Sequence, residues 1–227
     1  MRRRAAPVTR ALIAATAIAA TSGLARRRYL RWGATDEEIA MELPGDEFLP
    51  VANVTATRAI TVFRTAADVW PWLAQLGQGR GGFYSYDVLE NLVGCDIHSA
   101  DRIVEEWQSI DVGSDVNLYP GIGLVVAHVE PGRALVLRGG VPMGGKPAPY
   151  DSTWAFVLTE RPDGTTRLIV RERYEYTRRW SGLLVEPVEL ISFVMSQKML
   201  RGIRDRAQAA PPRRAVDIPV RAPTTMS

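Results

Sequence analysis

Cysteine, lysine and histidine are nearly missing from this sequence. Cys95 is the only cysteine. An intrachain disulfide is therefore impossible, and neither a disulfide-stapled scaffold nor a cysteine-rich zinc site is available. The only lysines are Lys146 and Lys198, and the only histidines are His98 and His128. Almost every basic group is an arginine, which reads first as compositional bias. A long hydrophobic run is also lacking. The most apolar stretch, residues 11–25, would make a helix of about 22 Å, short of the roughly 30 Å hydrocarbon core of a bilayer. An excess of positive charge is lacking outside one region. Residues 1–35 hold eight arginines and no acid before Asp36, while the whole chain is only +3. The high pI is thus a property of the leader and is no nucleic-acid footprint; no nucleic-acid partner is expected.

What is present is ordinary globular material. The chain has 227 residues, 46% hydrophobic and 23% charged. That suffices for one large domain or two small ones, with a substantial core. Residues 1–31 form a basic and apolar leader. It reads as a snorkelling membrane anchor, a signal segment ending in a small-x-small pattern at residues 23–25, or a frayed helix. Membrane association through residues 11–25 is the expectation, and a cytoplasmic location is the alternative. Residues 32–54 read as an irregular arm with one helical turn. Thr35 can cap that turn, with Asp36, Glu37 and Glu38 complementing its positive end. Residues 209–227 are rich in proline and arginine and are expected to be a disordered tail.

The domain proper is expected over residues 55–208. A strand over 55–64 is followed by a helix over 66–76, capped by Thr65. A second helix over 86–93 has Ser85 as its cap and Gly94 as its stop. A third short helix is expected over 100–108. Strands follow at 115–119, 124–130, 133–139, 152–161 and 165–176. Pro131-Gly132 and Pro162-Asp163-Gly164 are tight-turn signals between neighbours, so the sheet is antiparallel. Pro187 opens a last helix, running to residue 208. Its apolar stripe is Val188, Ile191, Met195, Met199 and Ile203, widened by Leu190, Val194 and Leu200. Only this helix is large enough to cover one face of the sheet. The class is α+β.

That element order resembles the START/SRPBCC helix-grip superfamily, which includes birch-pollen-type allergens. The segments RWGATDEEIA, GQGRGGFYSYDVLENLVGCDIHSADRI and LIVRERYEY look like a bacterial SRPBCC group. The resemblance spans residues 32–207. It implies a bent antiparallel β-sheet wrapped around a long C-terminal helix, with a hydrophobic-ligand cavity between them. It carries no shared catalytic motif, so it implies no catalytic residues.

Three patterns bear on chemistry. Residues 77–82 match GxGxxG, but a helix precedes the motif and no strand does, so a dinucleotide site is not supported. A helix stop with a tight backbone path fits better, and no cofactor is expected. Asp96, His98 and Asp101 beside Cys95 have the residue types of a metal or thiol site. A hydrogen-bonded loop pinning the helices explains them equally, and no metal is expected. The last strand is the most informative. Leu168, Val170, Glu172, Tyr174 and Tyr176 alternate with Arg167, Ile169, Arg171, Arg173 and Glu175. The first set should face inward, leaving the arginines in solvent. Glu172 is then a buried carboxylate, paired with Arg80 or Arg102, or poised for a ligand or a proton. Trp154 and Phe156 share a face of the preceding strand and are either core or cavity wall.

The candidate ligand-binding residues are therefore Glu172, Tyr174, Tyr176, Trp154, Phe156, Arg80, Tyr84, His98, Met195 and Met199. Three functions fit: a binding or carrier domain for a hydrophobic small molecule, an enzyme of polyketide cyclase/dehydratase type using cavity acid/base residues, and a structural or interaction domain with a filled cavity.

Overall fold

Short connections between β-rich segments set the architecture. The computed structural model describes residue 23 and residues 25–142 and 146–211, without the side chains of residues 187 and 188. Most of the 11–25 run and the chain beyond residue 211 lie outside the described residues, and with them the anchor and tail expectations.

Six strands form one antiparallel sheet in the order β1-β6-β5-β4-β3-β2. They are β1 (Val54–Val62), β2 (Asp115–Tyr119), β3 (Ile122–Glu130), β4 (Ala134–Arg138), β5 (Tyr150–Glu160) and β6 (Thr166–Tyr176). Each of β2 to β6 pairs with its sequence neighbour, and β1 closes onto β6. The helices are α1 (Asp36–Ala40), α2 (Ala66–Ala74), α3 (Asp87–Leu92) and the long α4 (Gly182–Ala209). The sheet is bent, and α4 packs against it, touching β1 and α2. This is the helix-grip arrangement that the element order implies.

Period-two alternation explains both faces of the sheet. Leu168 and Val170 of β6 join Phe156, Leu158, Leu135 and Leu137 in the core, where α4 contributes Met199, Leu200, Ile203 and Ala207. Ile169 faces the other way, into a small cluster with Leu43, Ala59, Ala134 and Val157.

That outer face is covered, and here the structure corrects the sequence reading. Arg167 and Arg171 are buried, and Arg173 is half-buried. The arm of residues 32–54 lies over them. Arg167 pairs with Glu38. Arg171 donates to the carbonyls of Glu38, Ile39 and Met41 and pairs with Asp46. Arg173 donates to the Leu49 carbonyl. The arginines leave solvent because the arm's unpaired carbonyls and acids supply the partners water would have supplied. Thr35 builds the full capping box of α1 with Glu38.

Further differences have local causes. Ser85 does not cap α3; its hydroxyl donates to the Met195 carbonyl of α4. Residues 100–108 hold only a 3-10 turn, Glu105–Trp107. Side chains capture the backbone there instead: Gln75 accepts from Val104 N–H, and Arg206 donates to the Ala100 carbonyl. The last helix begins at Gly182, more than a turn before Pro187. Leu190, Ile191 and Val194, expected on its buried stripe, are exposed. The glycine-rich segment is a tight loop in which Gly77 and Gly82 exchange backbone hydrogen bonds. Gly77, Gly79 and Gly82 all have positive φ, which only glycine adopts freely.

The end of the leader touches this body. Residues 25–30 are helical. Tyr29 packs its ring against Phe193 and accepts a hydrogen bond from Arg58, while Arg26 pairs with Glu189 of α4. Among the described residues no helix is long and apolar enough to cross a membrane.

Candidate functional site

A cavity of about 290 Å³ lies between the sheet and α4. This is near the lower end of ligand pockets, roughly 300–1,000 Å³. Its walls are mostly apolar. Trp154 of β5, Tyr174 of β6 and Met195 and Met199 of α4 line it, with Phe83, Leu118, Leu124 and Tyr150. Trp154 and Tyr174 are half-buried and line this space. The rings pack pairwise: Phe83 lies 5.8 Å from Trp154, and Tyr150 lies 5.7 Å from Tyr174.

Glu172 reaches the cavity wall, as alternation predicts, but its partner is neither Arg80 nor Arg102. Arg58 of β1 pairs with it at 2.7 Å, and both side chains are buried. Strand closure causes this, because β1 lies beside β6 with Ala56 opposite Glu172. From α4, Ser196 donates to Oε1 at 3.0 Å and Ser192 donates to Oε2 at 2.7 Å. The Tyr174 hydroxyl donates to Oε2 at 3.3 Å. The carboxylate is thus held by four donors. Burial, then the nearby Glu172, raises the Tyr174 pKa well above its ordinary value, so the phenol stays neutral. Arg58 stands behind Glu172, with its guanidinium over the Phe193 ring, and does not line the cavity.

A second carboxyl in the wall was not among the expected residues. Glu90 of α3 lines the cavity. Its Oε2 is buried without a hydrogen-bond partner. Burial, then the neighbouring Asp87, pushes its pKa up to about 7. The helix is inverted relative to the usual rule: Val88, Leu89 and Leu92 are exposed while the acid points inward. Polar anchors force this orientation. The Asp87 carboxylate accepts from the backbone and hydroxyl of Ser99, and the Asn91 amide brackets the backbone of Ile97. No periodicity argument could find Glu90, because the pattern of α3 points it at solvent. Trp154 adds a buried donor without a partner, its indole N–H.

Five expected site residues lie elsewhere. Phe156 is core, its ring 4.9 Å from Trp154. Tyr84 is buried between α2 and α4, its hydroxyl bonded to Gln75 and the Trp72 carbonyl. Arg80 donates to the carbonyls of Ala74 and Trp107 and ties loops together. Tyr176 lies at the far end of β6, beside Gly182. His98 is exposed, and among the described residues it pairs with Asp96 alone. Cys95 lines the cavity, but burial and Glu90 raise its pKa, which disfavours a reactive thiolate. Among the described residues no group of three histidine, cysteine or acidic side chains could hold a metal ion.

Comparison with known proteins adds fold likeness only. No family model matches the chain, and no curated protein matches it. Solved structures do. Protein MLL2253 from Mesorhizobium loti is 14% identical, with 70% of this chain and 99% of that one covered and a TM-score of 0.38. Protein Ms6760 from Mycobacterium smegmatis is 15% identical over 68% and 91%, with a TM-score of 0.42. CalU16 from Micromonospora echinospora is 16% identical over 68% and 84%, with a TM-score of 0.31. At these values none of them carries an argument about what this chain binds or does.

Proposed function

We propose that this chain is a binding or carrier domain for a hydrophobic small molecule held between the sheet and α4. The observation that carries the reading is the cavity itself: aromatic and methionine walls line a partly open space of about 290 Å³ that the described side chains leave unfilled. A purely structural domain would close such a space, since interiors pack close to crystal density. The polar groups favour binding over catalysis by Glu172. Its carboxylate oxygens already accept from Arg58, Ser192, Ser196 and Tyr174, so the protein's own donors occupy them.

Titration with a neutral environment-sensitive dye such as Nile red tests the reading. Saturable binding near one site per chain is expected, displaced by apolar competitors. Leu118→Trp puts a large side chain into the cavity wall. It should abolish dye binding while the protein still melts cooperatively. Equal dye binding by this variant would refute the cavity as the site.

A further inference from the structure

We infer that the cavity selects a hydrophobic amine, bound as its ammonium ion, over neutral and anionic molecules of the same size, with Glu90 as the counter-ion. This rests on the binding reading above and names the ligand's chemical class.

The first ground is the charge of the wall. Glu90 and Glu172 line the cavity, and among the described residues no arginine, lysine or histidine does. Glu172 is neutralised from behind by Arg58. Glu90 has no such partner, and its Oε2 is buried and unbonded. An anionic ligand would meet a carboxylate and find no cation. An ammonium would supply the partner that Glu90 lacks.

The second ground is the lining. Phe83, Tyr150, Trp154 and Tyr174 present aromatic surface to the same space. Aromatic faces attract a cation through the ring quadrupole, and more strongly once water is excluded. The third is the cost already met by the fold. α3 exposes Val88, Leu89 and Leu92 in order to turn Glu90 inward. The hydrogen bonds of Asp87 and Asn91 hold the helix so, yet among the described residues no group partners the Glu90 Oε2 that they turn inward.

The groups that bear on Glu90 are Asp87 on its own helix and Cys95 in the following loop. Asp87 disfavours its ionisation, and Cys95, kept a neutral thiol by burial and by Glu90, cannot replace a cation. An ammonium beside Glu90 must therefore displace the proton that Glu90 partly holds near neutral pH.

Calorimetric titration of the whole chain with octylammonium, octanol and octanoate at pH 8 tests this. Octylammonium should bind about tenfold or more tighter than octanol, and octanoate weakest, a tenfold step being about 1.4 kcal/mol. Glu90→Gln should bring octylammonium to within a few-fold of octanol measured on the same variant. A second readout needs no variant. At pH 7, heats measured in buffers of different ionisation enthalpy should show proton release on octylammonium binding and none with octanol. Octanoate binding as tightly as octylammonium would overturn the inference, as would an ammonium preference that survives Glu90→Gln. If octanol binds and only the preference is missing, the carrier reading stands and this inference fails. If none of the three binds, both fail.

Discussion

At the scale of single residues, two buried carboxyls behave in opposite ways. Glu172 is satisfied and Glu90 is not. Removing one partner of the Arg58–Glu172 pair strands the other charge in the interior. Arg58→Leu or Glu172→Gln should each cost about 3–5 kcal/mol in urea unfolding. The double replacement Arg58→Leu/Glu172→Leu should recover most of that loss, because the stranded charge rather than the lost contact dominates. Glu90 instead gives a pH dependence. Its folded pKa of about 7 lies above the unfolded value of 4.5. The folded state therefore holds the proton more tightly, and stability falls as pH rises from about 4.5 to 7, then levels off. Water reaching the half-buried side chain limits the effect to about 1–2 kcal/mol. Glu90→Gln should remove this slope and be the more stable protein at pH 8. Thermal melts from pH 4 to 8 check both points. Glu172 was legible from alternation alone. Its partner was not, because pairing of β1 with β6 is a long-range contact that no local pattern encodes.

At the scale of elements, the arm of residues 32–54 and the last strand depend on each other. Arg167, Arg171 and Arg173 rise from β6 to hold backbone carbonyls and acids of the arm. Arg171→Leu removes donors from the carbonyls of Glu38, Ile39 and Met41 together, and leaves Asp46 without its closest partner. We expect at least about 3 kcal/mol of destabilisation. Limited proteolysis should then cut within residues 36–50 under conditions where the unaltered protein resists. A variant that resists cleavage equally would show that the arm does not depend on Arg171. The sequence made α1 readable, since the Thr35–Glu38 box is a local signal. It hid the arm's docking, because arginines at alternate positions look like a solvent face whenever their cover is irregular chain. The inverted α3 was hidden for the same reason: side-chain hydrogen bonds from Asp87 and Asn91 outrank its apolar periodicity.

At the scale of the whole molecule, the helix-grip order of strands and helices follows from turn signals and one long amphipathic helix, and these were visible in the sequence. A boundary at residue 31 falls within a stretch that touches α4 through Arg26 and Tyr29. A chain beginning at residue 32 should keep the fold and be less stable in urea unfolding than one beginning at residue 23, by about 1–3 kcal/mol, since it loses the Tyr29 carbonyl that accepts from buried Arg58.

The central claim is that the space between sheet and helix holds a small apolar molecule. Native mass spectrometry of the protein purified from its own host tests it most directly. The account predicts a population heavier than the bare chain, carrying a non-covalent hydrophobic adduct that is released on denaturation and absent from Leu118→Trp. A spectrum of bare chain only, from protein that also fails to bind a neutral apolar probe, would contradict it.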